Sequence, residues 1–308
     1  MLDLGWERSN SLWCPASEEL QSIFTAFDKS LTILGFDPIR IGCKNSNYMV
    51  RTNKGSFLLR ATNICGFSNE RAVFDIVKGI LPVPDLLFHT VTQKCNIFIY
   101  EFIEGVSLQK LIIESNHCDD SLLEQVAKSA AILHSFPEEI SAGLTKWDIP
   151  PFEVWFDFFL QDDTVARVLG AQMLLRVHRL VSEKTVFLPQ IARLESLIHC
   201  DFRPANMLVD AKGTVFIVDW EFASTGHCLG DIGQFFRYRT LFSENQFTLF
   251  ERVYNSFAVQ QLPDQWVELS LFRDLVNPLH LLSLSHETPY RDADLIRIIE
   301  NTLTHWNY

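Results

Sequence analysis

The order of apolar and polar residues divides this sequence into a first third that favours strands and a remainder that favours helices. Residues 17–30 place Leu20, Ile23 and Phe24 at helical spacing, which predicts an amphipathic helix. Short apolar runs typical of strands follow, together with one further helical pattern at 68–79. The predicted strands cover residues 31–41, 47–52, 56–62, 85–90 and 95–102.

Turn and helix-boundary signals separate these elements. The tetrapeptide Thr52–Gly55 predicts a hairpin between the second and third strands. The helix over 68–79 would begin at Ser68, with Glu70 in its first turn, and would end before Leu81–Pro84 because proline cannot continue a helix. These signals predict a five-stranded antiparallel sheet with one main helix.

Beyond Gly105 the pattern becomes mostly helical, and one predicted β-hairpin near 206–219 interrupts it. The change in pattern predicts an α+β fold with two domains, residues 1–103 and 104–308, joined near Glu101–Gly105. The predicted helices of the second domain cover residues 106–115, 120–135, 152–160, 164–183 and 190–197.

Composition and charge restrict the possible partners. The 308 residues carry a formal net charge of −12, which argues against non-specific nucleic-acid binding. No stretch approaches the ~18 apolar residues of a membrane helix, and acidic residues stand where a secretory signal would carry positive charge. The 7 cysteines are irregularly spaced, which favours reduced thiols. We therefore expect a cytoplasmic protein with no nucleic-acid or membrane partner.

The hairpin near residues 206–219 carries the clearest candidate chemistry. Apolar β-formers at Met207–Val209 and Val215–Val218 flank its turn, so strand pairing would bring Asn206 and Asp219 close together at the open end. Paired strands lie ~4.8 Å apart, so the oxygen atoms of the two side chains can converge. An amide oxygen and a carboxylate suit Mg²⁺, which binds one or two protein carboxylates together with substrate phosphates.

A third oxygen-bearing side chain, Asp201, lies on a loop just before the hairpin, and Pro204 stiffens this loop. If Asn206 and Asp219 bind the metal, the Asp201 carboxylate is left without a ligand and can accept a proton from an attacking hydroxyl. An H-x-D-x-x-x-x-N loop followed by a metal-binding aspartate is the arrangement used in kinase-type phosphoryl transfer.

These motifs resemble the aminoglycoside phosphotransferase/choline kinase family. The resemblance rests on HCDFRPANMLVD at residues 199–210 and on VDWEFA at 218–223. The Asp-Trp-Glu sequence in place of Asp-Phe-Gly distinguishes it from protein kinases, and Cys200 stands where the family usually has glycine. The resemblance implies a protein-kinase-like two-lobed fold with a mostly helical C-terminal lobe. It also implies ATP or GTP as phosphoryl donor, Mg²⁺ as cofactor and a small-molecule hydroxyl as acceptor.

The resemblance further assigns roles near the hairpin. Asp201 would be catalytic, and Asn206 and Asp219 would be the metal ligands. His199 and Asp231 would support the site as framework residues, with the Asp231 carboxylate bonding backbone amides of the catalytic loop.

On the nucleotide side, the same resemblance places Asn45 in a phosphate-covering turn and Arg60 where kinases carry a phosphate-binding lysine. Glu70 would orient Arg60 through an ion pair. The alternative is an exposed arginine at a strand end and a glutamate favoured by the helix dipole. The backbone C=O of Glu101 and N–H of Ile103 would bind the nucleotide base.

Other hypotheses stay open on the sequence alone. The acceptor could be choline, homoserine, a sugar or a fructosamine, or the chain could be a catalytically silent nucleotide-binding protein. Zinc binding by residues of the set His199, Cys200, Asp201, His227 and Cys228 is a further alternative, although structural zinc sites usually present paired ligands at both ends. Net negative charge favours a cationic acceptor such as an amino sugar. Its candidate acidic contacts are Asp157, Glu221, Asp274 and Glu287.

Overall fold

The computed structural model of the chain describes residues 6–8, 10–40, 42, 44–63, 68–145, 152–192, 196–284 and 288–306. Glu287, Cys43 and Cys65 lie outside these residues. The chain forms two compact units. The first comprises the described parts of Asp3–Phe67 together with Val83–Glu104, and the second the described parts of Ser68–Pro82 and Gly105–Tyr308. The predicted functional division at 103/104 stays a prediction.

The first unit is built on a five-stranded antiparallel sheet, as the sequence predicts. A helix, α1 (Ser17–Phe27), precedes it. In space the strands follow the order β1-β2-β3-β5-β4. Their bounds are β1 Ile33–Ile39, β2 Ser46–Thr52, β3 Gly55–Asn63, β4 Leu86–Val91 and β5 Cys95–Glu101.

One face of this sheet forms the core of the unit with α1. Successive side chains of a strand point to opposite faces, so Leu59 of β3 lies in that core while the next residue, Arg60, lies on the other face. Leu20 and Phe24 of α1 are completely buried against the core face. Asn47 of β2 and Phe98 of β5 are the direct cross-strand neighbours of Arg60. This second face therefore combines polar and aromatic side chains.

The second unit is mainly helical. Helix α2 (Glu70–Val77) groups with it, although the chain returns to the sheet of the first unit directly afterwards. None of the helices that the structure describes combines the length and apolar character needed to cross a membrane. The remaining helices are α3 Leu108–Ser115, α4 Asp120–His134, α5 Trp155–Leu160, α6 Asp163–Lys184, α7 Leu188–Ile191, α8 Cys228–Phe235, α9 Glu244–Phe257, α10 Trp266–Asp274, α11 Val276–Ser283 and α12 Pro289–His305.

Two small antiparallel sheets position the predicted hairpin within the helical unit. The hairpin strands β8 (Met207–Asp210) and β9 (Val215–Ile217) pair as expected, and β6 (Gly105–Ser107) adds a third strand beside β8. Strand β7 (Ser196–Ile198) pairs with β10 (Ser224–Gly226). Because β7 leads directly into His199, this pairing fixes the start of the loop before the hairpin.

Three sequence predictions differ from the structure. The predicted helix over 190–197 is wrong at residues 196 and 197, because Ser196–Ile198 forms β7. Two apolar residues in a short run fit either element, and pairing with β10 decides between them. The helix over 106–115 begins only at Leu108, after β6. Helix α2 begins at Glu70, and Asn69 rather than Ser68 is the residue at its N-cap.

Close packing between α8 and α10 depends on Gly233. A Cβ at this position would lie 2.3 Å from the Ser270 carbonyl oxygen and 2.9 Å from the Asp274 Cβ. Both helices would have to separate to admit a methyl group. Because α8 also carries Asp231, this contact supports the part of the second unit that holds the loop before the hairpin.

We expect Gly233→Ala to lower the free energy of unfolding by about 1–3 kcal/mol, the usual cost of forcing an extra group into a packed interior. Urea unfolding followed by circular dichroism measures it. Gly143→Ala is the matched control, because a Cβ there meets no atom within 4 Å. Equal stability of the two variants would contradict this account of the helix contact.

Candidate active site

The loop between β7 and the hairpin brings Asp201 and Asn206 into direct contact. A short 3-10 turn, Pro204–Asn206, folds the chain back so that the Asn206 side chain reaches Asp201. Its Nδ2 donates to the Asp201 Oδ2 at 2.7 Å and to the Asp201 backbone oxygen at 2.9 Å. Since both amide protons point to Asp201, the amide oxygen of Asn206 is directed elsewhere and can serve as a ligand.

Asp201 also forms a two-point ion pair with Arg203, which the sequence analysis did not foresee. Arg203 donates from Nε to Oδ1 at 2.5 Å and from Nη2 to Oδ2 at 3.0 Å. Asp201 therefore has a basic partner, and its role as the carboxylate that does not bind the metal stays a prediction. The signal was present in the sequence, since an arginine two residues along a turning loop can fold back onto an aspartate.

The ion pair changes the protonation behaviour of Asp201. Burial raises the pKa of the Asp201 carboxyl, but the charge and hydrogen bonds of Arg203 outweigh burial, so its pKa lies below the ordinary value. The side chain is 20% exposed, which leaves it accessible to a ligand. The carboxylate is thus a weak proton acceptor that can still receive a hydrogen bond from a hydroxyl.

Asp219 lies at the open end of the hairpin, one residue beyond the position opposite Asn206. Val218 N donates to Asn206 O at 3.0 Å, which closes the pairing of β8 with β9. Asp219 itself has φ 70° and ψ 57°, in the left-handed region that side chains other than glycine rarely adopt. A backbone of this kind persists only where its surroundings enforce it, and such positions cluster at functional sites.

His199 is a buried framework group, and both of its ring nitrogens are engaged. Its Nδ1 accepts from Asp201 N at 3.3 Å, so the neutral ring donates from Nε2 to Val218 O at 3.0 Å. Trp220 packs against the ring with centroids 4.5 Å apart. His199 is therefore unsuited as a zinc ligand, because both of its ring nitrogens already have hydrogen-bond partners.

The other zinc candidates have local partners too. His227 Nδ1 accepts from Leu229 N at the start of α8, and the Cys228 thiol lies 3.8 Å from the same nitrogen. Within the described ranges, no three histidine, cysteine, aspartate or glutamate side chains converge as a metal site.

The Asp231 carboxylate, in the first turn of α8, accepts hydrogen bonds from two backbone amides of the loop. Its Oδ2 accepts from His199 N at 2.7 Å and its Oδ1 from Cys200 N at 2.9 Å. Oδ2 also lies 3.2 Å from Nε2 of His134, whose Nδ1 lies 3.0 Å from the Tyr254 hydroxyl. Asp231 is completely buried, so each of these bonds replaces one that water would otherwise supply.

Gln234, one helical turn after Asp231, is a second clamp on the loop. Its Oε1 accepts from Phe202 N at 2.8 Å and its Nε2 donates to Cys200 O at 2.9 Å. Cys200 has φ 63°, which explains why glycine is common at this position in the resembled family and why a small side chain can still occupy it. The i, i+3 spacing from Asp231 is the signal that could have identified Gln234.

Arg60 and Glu70 are both buried, at 6% and 4% exposure. The alternative of an exposed arginine at a strand end is therefore wrong. Arg60 lies on β3 of the first unit and Glu70 at the start of α2 in the second. Asn69, directly before Glu70, donates to Ala223 O at 2.8 Å and so ties α2 to the segment after Asp219.

The remaining nucleotide candidates lie at ends of strands. Asn45 is buried just before β2, and its backbone oxygen accepts from Arg8 at 2.8 Å. Glu101 is the last residue of β5, with its N–H bonded to Asp85 O, and Ile103 lies in the connection to β6.

A family model described as the phosphotransferase enzyme family matches residues 35–267, which is most of the chain. The chain belongs to this family. The matched residues include Asp201, Asn206 and Asp219, in the geometry described above. No curated protein matches the sequence significantly.

Solved structures share the fold of this phosphotransferase over nearly their whole length. The AMP-bound spectinomycin phosphotransferase APH(9)-Ia has a TM-score of 0.68 at 15% identity, with 94% of this chain and 99% of that chain covered. Choline kinase from Streptococcus pneumoniae has a TM-score of 0.64 at 14% identity, covering 93% and 99%. Aminoglycoside phosphotransferase APH(4)-Ia, in a ternary complex with AMP-PNP and hygromycin B, has 0.63 at 16%, covering 92% and 97%.

The acidic candidates for acceptor binding differ in what they can do in this phosphotransferase. Asp274 is buried, and its carboxylate accepts from both Nε and Nη2 of Arg237, so it is a structural ion pair rather than a charge offered to a ligand. Glu221 is also buried, whereas Asp157 is exposed on α5.

We expect Asp231→Asn to lower the free energy of unfolding by about 1–3 kcal/mol. Both carboxylate oxygens of Asp231 accept from backbone N–H groups, so the NH₂ group of asparagine would face one N–H donor and leave it without an acceptor. Chemical denaturation measures the loss. Asp75→Asn, at an exposed ion pair with Lys78, is the matched control and should cost under about 1 kcal/mol. A similar small loss in both variants would mean that Asp231 does not hold the loop.

Proposed function

We propose that this phosphotransferase moves the γ-phosphoryl group of ATP or GTP to a hydroxyl of a small molecule, with Mg²⁺ as cofactor. The observation that carries the proposal is the contact of Asp201 with Asn206 on a loop that leads into the hairpin ending at Asp219. The loop supplies a group that can orient a hydroxyl and the hairpin supplies groups that can bind metal, so the two halves of the chemistry lie together.

Asn206 and Asp219 would hold the metal. Their donor set, one amide oxygen and one carboxylate oxygen, fits Mg²⁺, and the Asn206 amide is already turned so that its nitrogen faces Asp201. When bound, the metal supplies positive charge that neutralises the phosphate oxygens. The strained backbone of Asp219 is consistent with a position held for a ligand.

Asp201 would orient the acceptor hydroxyl, and Arg203 would add charge beside it. A carboxylate with a lowered pKa is poorly suited to remove a proton early, but it can align a hydroxyl and take the proton once the oxygen–phosphorus bond forms. The Arg203 guanidinium is bonded to that carboxylate, so it lies within reach of the phosphoryl group that the hydroxyl attacks. Catalysis would then depend on positioning and charge.

The first unit would bind the nucleotide. Arg60 supplies a fork for phosphate and Glu70 orients it, while Asn45 belongs to the turn that covers the phosphates. The base would pair with the backbone C=O of Glu101 and N–H of Ile103. Nucleotides in the structures of spectinomycin phosphotransferase and APH(4)-Ia support this part of the proposal.

The acceptor that we favour is an aminoglycoside-like amino sugar. The net charge of −12 suits a cation, and spectinomycin, hygromycin B and choline, named for the similar structures, all carry amino or ammonium groups. Kinases of choline, homoserine, a sugar or a fructosamine remain the alternatives within the family. The exposed Asp157 is the described acid that suits such a contact.

Asp201→Asn should leave nucleotide binding within a few-fold of the wild type while kcat falls by ~10²–10⁴, because the hydroxyl loses the group that aligns it and takes its proton. Calorimetry gives the affinity, and a coupled assay of nucleotide consumption gives kcat. Turnover near the wild-type rate would remove Asp201 from this role.

Asp219→Ala should abolish Mg²⁺-dependent nucleotide binding, because it deletes the carboxylate ligand of the metal. Titration of the nucleotide with and without Mg²⁺ measures the effect. Asp210→Ala is the matched control at the other end of the same hairpin, where the carboxylate bonds backbone amides of the turn. If both variants keep the metal requirement, the hairpin is not the metal site.

For a cationic acceptor, kcat/KM should fall as ionic strength rises, because salt screens attraction between the acceptor and acidic side chains. The measurement compares low and high salt for each accepted substrate, with a neutral sugar as the control. Activity confined to neutral or anionic acceptors, without salt dependence, would contradict the amino-sugar assignment and leave the kinase assignment intact.

A further inference from the structure

The segment before α1 is bonded to the turn between β1 and β2. Arg8 donates from Nη1 to Gly42 O and from Nη2 to Asn45 O, both at 2.8 Å. Asn10 donates from Nδ2 to Lys44 O at 3.2 Å, and the Arg8 Nε donates to Asn10 O, also at 3.2 Å. Two side chains therefore bind the backbone oxygens of three residues in this turn.

A second set of contacts fixes the same segment beside β2. Trp13 N donates to Ser46 Oγ at 2.9 Å, and the Tyr48 hydroxyl donates to Trp13 O. The two rings meet edge to face, with centroids 6.2 Å apart. Burial, more than the neighbouring Cys14, raises the pKa of Tyr48 to about 12, so this hydroxyl stays protonated and remains a donor. The segment before α1 is thus bonded both to the turn and to the first residues of β2.

These bonds determine which way the peptide dipoles of the turn point. A carbonyl oxygen carries partial negative charge and would repel a phosphate placed near it. In a planar trans peptide the C=O of one residue and the N–H of the next point in opposite directions. Because Lys44 O faces Asn10, the N–H of Asn45 faces away from this segment. The carbonyl groups of Gly42, Lys44 and Asn45 thus face Arg8 and Asn10, and the Asn45 N–H points away from them.

We propose that Arg8, supported by Asn10, is a positioning residue for the nucleotide triphosphate. It holds the carbonyl groups of Gly42, Lys44 and Asn45 away from the phosphates and so prepares the turn to bind them. The inference rests on the proposed function, in which this turn covers the phosphates. It adds a contribution from the segment before α1, which no motif in the hairpin or the strands indicates.

The fork of the guanidinium is essential to this role. One planar group with fixed donor directions reaches two carbonyls on different residues, whereas a lysine ammonium, a compact point charge on a flexible stem, does not reproduce this geometry. If Arg8 instead attracted phosphate through its charge, lysine would replace it. The pair Arg8→Ala and Arg8→Lys therefore separates positioning from simple attraction.

The experiment measures binding of Mg-ATP and Mg-GTP, and of the corresponding nucleosides, by calorimetry to the wild type, Arg8→Ala, Arg8→Lys and Asn10→Ala. We expect both Arg8 variants to bind the triphosphate about ten-fold more weakly, as loss of charge-assisted hydrogen bonds predicts, with nucleoside affinity unchanged. Asn10→Ala should lose less. Arg51→Ala is the matched control, since Arg51 lies on β2 in an exposed ion pair with Asp37, away from the turn.

Hydrogen–deuterium exchange supplies a readout that needs no ligand. In the free protein, peptides covering residues 42–48 should exchange faster in Arg8→Ala than in Arg51→Ala. Unchanged exchange with unchanged triphosphate affinity would overturn the positioning role, and full rescue by Arg8→Lys would replace it with simple charge attraction. Failure of the wild type to bind any Mg-triphosphate would overturn the proposed function itself, and the inference with it.

Discussion

The bond between the Asp231 carboxylate and the backbone of the loop that follows β7 is the constraint on which the site depends. Two of its acceptor positions are filled by the amides of His199 and Cys200, which fixes the direction in which the chain enters the loop. Asp201 comes next, and the geometry of every group that contacts it follows from this direction. Because Asp231 is completely buried, the arrangement has no competing water and few alternatives.

The same loop shows how electrostatics can favour positioning over basicity. Arg203 neutralises the Asp201 carboxylate at short range, and Asn206 donates to it as well. These bonds hold the carboxylate in one orientation before any substrate binds, and a preorganised group of this kind needs little rearrangement during a reaction. In the proposed mechanism the Asn206 amide would connect the two functions, because its nitrogen donates to Asp201 and its oxygen would bind the metal.

The sequence predicted the parts of the structure that local pattern determines. The apolar run that ends at Arg60 predicted β3, and the turn residues predicted the hairpin that carries Asn206 and Asp219. The strand Ser196–Ile198 was missed because its identity depends on antiparallel pairing with Ser224–Gly226, whose residues lie 26 to 30 positions further along the sequence from their partners. The contacts of Gln234 with Phe202 and Cys200 were also missed, because the i, i+3 spacing places Gln234 on the same helix face as Asp231 but does not show what that face contacts.

The position of Cys200 beside Asp231 has a consequence for the thiol chemistry of the chain. Burial, and then the nearby Asp231 charge, raise the pKa of the Cys200 thiol, so the reactive thiolate is scarce there. Cys14, in contrast, is exposed and lies in the segment that contacts β2. Alkylating reagents should therefore modify Cys14 well before Cys200, which makes Cys14 a native attachment point for a fluorophore beside the turn while the loop at Asp201 stays unmodified.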